Sequence, residues 1–101
     1  MATATLASVE NEIASRLNRR LRDMNGVVSL HFLYRDRTFS AWVGLADYHS
    51  KSLRHAIYEI EEDIEREFHG VEFDFHLVAV SDGRSIDECI SNANMVFKRS
   101  A

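Results

Sequence analysis

The chain has 101 residues, 46% of them hydrophobic and 28% charged, which fits one globular domain and is too apolar for a disordered chain. The formal net charge of −4 argues against a general nucleic-acid-binding protein, because such proteins carry an excess of Lys and Arg facing the phosphates. The first residues form no basic, long apolar leader, and no apolar run reaches the roughly 20 residues of a membrane span, so we expect a cytoplasmic protein without a membrane partner.

The first element in chain order is an amphipathic helix over about residues 2–24. Asn25-Gly26 ends it, because both residues tolerate the left-handed conformation that is common just past a helix. The apolar residues of this helix recur at steps of three and four: Leu6, Val9, Ile13, Leu17, Leu21 and Met24.

Two strands and a second long helix follow. Residues 27–35 and 39–46 are rich in β-branched and aromatic side chains, and the short link Asp36-Arg37-Thr38 between them predicts a hairpin. Residues 50–70 then carry one apolar stripe and end on a glycine, which predicts the second helix. The members of the stripe are Leu53, Ile57, Ile60, Ile64 and Phe68.

The last third of the chain predicts strand, turn, short helix and strand. Residues 71–80 alternate between apolar and polar side chains, 81–83 form a turn, a capping box begins a short helix at Ser85, and 95–99 form the final strand. The order α-β-β-α-β-α-β predicts one α+β domain over residues 1–101, with a mixed sheet of about four strands and both long helices on one face.

Alternation along the strands gives each of them one wetter face. In the third strand the core face carries Phe73 and Phe75, and the other face carries Asp74 and His76. In the first strand, Val27 falls on the wetter face. The wetter faces together hold Ser29, His31, Ser40, Trp42, Glu72, Asp74 and His76.

Three residues of this face are candidate ligands. His31, Asp74 and His76 could converge as two imidazoles and a carboxylate, a set that can bind a divalent metal or transfer protons. No spacing in the sequence pairs two histidines on one helix face, so convergence depends on the strand order. The alternative is that all three are solvated residues of the sheet face.

Trp42 is a candidate for an interface. A large amphipathic ring among Ser, Gly and Ala is typical of contact surfaces. Val78 and Val80 lie at the end of the same face of the third strand, and their apolar side chains need to be shielded from water. We therefore expect a homo-oligomer or a protein partner there. Packing under the chain's own short helix and stacking on a ligand remain alternatives for Trp42.

The second helix carries an acidic run that is typical of a solvated face, consisting of Glu59, Glu61, Glu62, Asp63, Glu65 and Glu67. Docking of this run against the arginines of the first helix, within or between subunits, is the alternative.

The element order and the strand phrase VEFDFHLVAV resemble the minimal nucleotidyltransferases of the DNA-polymerase-beta-like superfamily. In that family a helix precedes an antiparallel pair, a second helix follows, and the next strand carries an aspartate, which Asp74 would match. The family's Gly-Ser turn and D-x-D pair are missing, since the first turn reads YRDRT and Ser40 and Trp42 stand in the second strand. The resemblance therefore implies an inactive relative, because two-metal phosphoryl transfer would lack its ligands.

Together these patterns predict a non-catalytic accessory or protein-interaction domain that self-associates and needs no cofactor. The common catalytic signatures do not occur in the sequence. The alternative is a small metal- or nucleotide-binding enzyme that uses His31, Asp74 and His76, with a divalent metal as its cofactor.

Overall fold

The computed structural model describes residues 8–80 and 93–98, in which two helices and four strands follow the order α-β-β-α-β-β. This confirms the predicted α+β class, while the short helix predicted from Ser85 lies outside the described residues. The bounds are α1 Val9–Leu21, β1 Val27–Arg35, β2 Thr38–Leu45, α2 Lys51–Glu67, β3 Glu72–Ala79 and β4 Asn94–Lys98.

The four strands form one mixed sheet in the order β3-β2-β1-β4. β1 is antiparallel to both β2 and β4, whereas β2 and β3 are parallel. The parallel pair follows from α2, since a helical crossover returns the chain to the same end of the sheet. The predicted mixed sheet of four strands is confirmed.

Both helices pack on one face of the sheet, as predicted, and their apolar stripes close the core against it. Arg16 of α1 forms an ion pair with Glu67 of α2, and Arg20 lies 3.4 Å from Asp63, so part of the acidic run docks on the arginines of the same chain. The buried apolar residues of the core are Ile13, Ala14, Leu17, Leu21, Val27, Leu30, Phe32, Phe39, Ala41, Val43, Leu45, Ile57, Ile60 and Ile64.

The hairpin between β1 and β2 is tighter than the sequence predicts. Arg35 pairs with Thr38, so the loop contains only Asp36 and Arg37, and Thr38 belongs to the strand. Both loop residues have positive φ, 53° and 65°, as a two-residue turn that matches the strand twist requires.

A β-bulge at Val28 corrects the predicted faces of β1. Val27 pairs with Leu45 but Ser29 pairs with Gly44, so one residue of β1 is left over between them. Val27 is therefore fully buried in the core, not on the wetter face, and Val28 is only half-buried. Strict alternation fails wherever one strand carries an extra residue.

Candidate functional site

A row of four side chains crosses the sheet on the face opposite the helices. Trp42 in β2 pairs with His76 in β3 on one side and with His31 in β1 on the other, and His31 pairs with Met95 in β4. Directly paired residues point to the same face, so the strand order does bring the predicted residues into one line.

His31 lies apart from the other two candidate ligands. It occupies β1 and His76 occupies β3, with Trp42 of β2 between them in the same row. Two strand spacings separate their backbones by about 10 Å. The His31 side chain is also almost fully buried, 1% exposed, whereas His76 and Asp74 reach the surface.

Asp74 and His76 do come together. Two residues apart on one strand, they share a face, and Asp74 Oδ2 lies 3.0 Å from His76 Nε2. The imidazole also stacks on Trp42, with ring centroids 5.4 Å apart and planes inclined by 12°. The carboxylate and the indole thus hold His76 from two sides, which fixes the direction of its ring nitrogens.

The donor set is small for a metal site. Across residues 8–80 and 93–98, no group of three or more His, Cys, Asp and Glu side chains is placed to hold a metal ion. Asp74 and His76 offer two ligands, whereas a structural or catalytic zinc ion takes at least three from protein.

Val78 and Val80 continue the same face toward the end of β3. Val78 is half-buried and pairs with Gly44 of β2. The Val80 side chain lies over Gly44 so closely that a Cβ on that glycine would stand 2.8 Å from Val80 Cγ2 and 2.2 Å from Ser29 Oγ. Gly44 of β2 is therefore the position over which two side chains meet, Ser29 from β1 and Val80 from just after β3.

We name the part of this face on β2 and β3 the Trp42 surface, consisting of Trp42, Asp74, His76, Val78 and Val80. It combines a half-buried indole and two half-buried valines with an exposed acid and a partly exposed imidazole. Met95 on β4, 59% exposed, carries apolar surface to the other edge of the sheet. Such a mixture of aromatic, aliphatic and polar groups is typical of protein contact surfaces.

A buried carboxyl group on α2 was not predicted from the sequence. Glu61 is only 6% exposed, and its Oε2 has no hydrogen-bond partner within residues 8–80 and 93–98, which contradicts the prediction of a solvated acidic face at this position. Burial, with the nearby Glu65 carboxylate, raises the pKa of Glu61 to about 8. Helical spacing could have revealed it, because Glu61 lies four residues after Ile57 and three before Ile64, beside the apolar stripe.

A groove of about 400 Å³ lies where α1 ends and α2 begins, and none of the predicted site residues lines it. Its polar groups are engaged locally, since Ser50 Oγ accepts a hydrogen bond from the Leu53 amide and so caps α2.

Comparison with known proteins adds no family to these observations: no protein-family model matches the chain, and no curated protein shows significant similarity to it. In the described parts of the chain, neither helix is long and apolar enough to cross a membrane.

Proposed function

We propose that this protein is a non-catalytic interaction domain that self-associates, with the Trp42 surface at or beside the contact between copies. The observation that carries this proposal is the Trp42 ring, which lies half-buried on the face opposite α1 and α2 and stacks on a partly exposed histidine. Trp, with its large area and few rotatable bonds, is among the residues that contribute most to binding energy at interfaces.

The arrangement of the polar groups beside Trp42 favours a binding function over a catalytic one. Catalysis by general acid and base or by a nucleophile requires groups that meet at a reacting atom. Here one carboxylate and one imidazole bond to each other, and the second predicted imidazole, His31, is buried one strand beyond Trp42.

Replacing Trp42 tests the proposal. We expect Trp42→Glu to dissociate the oligomer, because it removes the indole on which His76 stacks and adds a carboxylate beside Asp74. Trp42→Phe keeps an aromatic ring for His76 and should retain the oligomer. Light scattering on the wild type and both variants, from low to high micromolar concentration, measures the effect. Equal masses for all three proteins would contradict the proposal.

The Asp74–His76 pair favours a second candidate function, a metal- or nucleotide-binding enzyme, because an imidazole beside an aromatic platform can contact a ligand. Isothermal titration with Mg²⁺, Zn²⁺ and ATP tests it. The second candidate requires binding that Asp74→Asn weakens, and a flat titration with all three ligands removes it.

A further inference from the structure

Among residues 8–80 and 93–98, strand β3 forms one edge of the sheet, and its side away from β2, called its open side here, has no neighbouring strand. Within the described residues it pairs only with β2, over an unbroken register from Glu72 to Ala79. Its sequence, EFDFHLVA, contains neither the proline nor the lysine with which proteins commonly protect such edges, and its pairing with β2 has no bulge.

The backbone hydrogen bonds show which β3 residues face outward. The Glu72 amide donates to the Arg37 carbonyl and the Val80 amide donates to the Leu45 carbonyl. In a parallel pair, every second residue directs both its N–H and its C=O to the neighbouring strand, so the even-numbered residues bond to β2. Phe73, Phe75, Leu77 and Ala79 therefore direct their amides and carbonyls to the open side.

We propose that a second copy of this chain occupies the open side, with its β3 antiparallel to the first β3 and the two-fold axis at Phe75. The two four-stranded sheets then form one sheet of eight strands, and the Trp42 surfaces of both copies join in one continuous face. This inference rests on the proposed self-association and names its geometry.

Hydrogen bonding limits the possible registers. In an antiparallel pair, residues with outward amides must stand opposite one another. An axis at Phe75 satisfies this rule, since Phe75 faces its own counterpart and Phe73 faces Leu77 of the second copy. Axes at Asp74 or at His76 satisfy it too.

The side chains of the face opposite α1 and α2 select among these three registers. With the axis at Phe75, Asp74 of each copy stands opposite His76 of the other, so a carboxylate meets an imidazole twice. With the axis at Asp74, the two Asp74 carboxylates face each other, and like charges directly opposite are destabilising. With the axis at His76, the two imidazoles face each other and each Asp74 faces Val78, so no group of opposite character stands across from either one. The complementarity of Asp74 and His76 therefore favours the register with the two-fold axis at Phe75.

The core face of β3 supports the same arrangement. Phe73, Phe75 and Leu77 point toward the helices but are only half-buried, and the Phe73 and Phe75 rings stack with centroids 5.4 Å apart. Side-by-side pairing sets these apolar groups against their counterparts in the second copy, which removes more of their surface from water.

Disulfide trapping tests the register. Cys89, the one native cysteine, is replaced by serine, and Asp74→Cys and His76→Cys are made as separate proteins in that background. Both positions are exposed, so neither change should disturb the core. Directly opposite side chains have Cβ atoms about 5 Å apart, within reach of a disulfide, whereas diagonal neighbours at about 7–8 Å are not.

We expect a cross-linked dimer when the two cysteine proteins are mixed and oxidised, and none when either is oxidised alone. A cross-link in the Asp74→Cys protein alone or in the His76→Cys protein alone overturns the register. A wild type that is dimeric by light scattering but gives no cross-link in any sample overturns the edge pairing and leaves the proposed self-association standing. A monomeric wild type overturns both.

A charge exchange provides a second test without cross-linking. His76→Asp places a carboxylate opposite Asp74 on both sides of the axis, and we expect it to dissociate the dimer. The double variant Asp74→His/His76→Asp restores a carboxylate opposite an imidazole, and we expect it to recover the dimer. Dimerisation of His76→Asp as tight as that of the wild type, or a monomeric double variant, contradicts the proposed pairing.

Discussion

Glu61 is a single ionisable residue in a buried position, and its burial makes the stability of the protein depend on pH. The carboxyl group is neutral in the folded protein below about pH 8, whereas in the unfolded chain it ionises above about pH 4.5. The folded state therefore binds more protons than the unfolded state between these values. By linkage, the contribution of Glu61 to the free energy of unfolding falls as the pH rises through this window.

We predict that Glu61→Gln stabilises the protein at pH 8 and leaves its stability little changed at pH 4.5. Glutamine keeps the shape and cannot ionise, so the variant avoids a charging cost of about 1–3 kcal/mol at the higher pH. Urea unfolding at several pH values measures the difference. Glu62→Gln, at an exposed neighbouring position, is the control and should follow the wild type. The same loss of stability with pH in Glu61→Gln as in the wild type would refute this account.

Gly44 is the second residue at which a small change should alter the stability of the protein, because its surroundings leave no room for a Cβ atom. An alanine there would bring its Cβ to 2.2 Å from Ser29 Oγ and 2.8 Å from Val80 Cγ2, so both neighbours would have to move. We predict that Gly44→Ala lowers the free energy of unfolding by about 1–3 kcal/mol, the usual cost of overpacking.

A second change identifies the cause of that loss. Ser29→Gly removes the side chain nearest to the added methyl group, so the double variant Gly44→Ala/Ser29→Gly should lose less stability than the two single changes added together. Thermal unfolding of the four proteins completes this cycle. Strict additivity would show that the Ser29 contact is not what keeps position 44 a glycine.

At the scale of elements, the hairpin turn stores strain that a substitution can relieve. Arg37 has φ 65°, a conformation that costs residues with a Cβ more than it costs glycine. We predict that Arg37→Gly raises the free energy of unfolding by about 1 kcal/mol.

The matched control is Arg19→Gly, at an exposed position inside α1. It removes the same side chain where the backbone is helical, and it should lower the free energy of unfolding by about 1 kcal/mol. Chemical denaturation of both variants checks the opposite signs; destabilisation by Arg37→Gly would contradict the prediction.

The acidic residues of the run on α2 have different roles, depending on the side of the helix on which they lie. Asp63 and Glu67 lie on the side that faces α1 and form ion pairs with its arginines. Glu61 lies on another side, beside the apolar stripe. The run is thus partly an interhelical contact and partly buried, and each member's role follows from its angle around the helix axis.

At the scale of the whole molecule, hydrophobic periodicity was enough to predict the two long helices, the four strands and the face on which these helices pack. The stripe from Leu53 to Phe68 and the alternation from Phe73 to Leu77 are long enough for their periods to be distinct. The bulge at Val28 was not predictable, because a single extra residue leaves no compositional mark in a strand of mixed residues.

The site was predictable only in part, since it depends on strand order. The sequence predicts that Trp42, Asp74 and His76 share a face, and the parallel pairing of β2 with β3 makes Trp42 and His76 neighbours. The same order places β2 between His31 and His76. Local patterns contain no information on which strands are adjacent, so the sequence left the convergence of the three ligands open.

Amide hydrogen exchange of the unmodified chain is the most direct test of our proposal that two copies pair through the outer edges of their β3 strands. We expect the Phe73, Phe75 and Leu77 amides to exchange slowly at high protein concentration and faster on dilution, because the second copy supplies their hydrogen-bond acceptors. The Glu72 amide, which bonds to Arg37 within the chain, is the internal reference. Exchange of Phe75 that is equally fast at every concentration would contradict the claim.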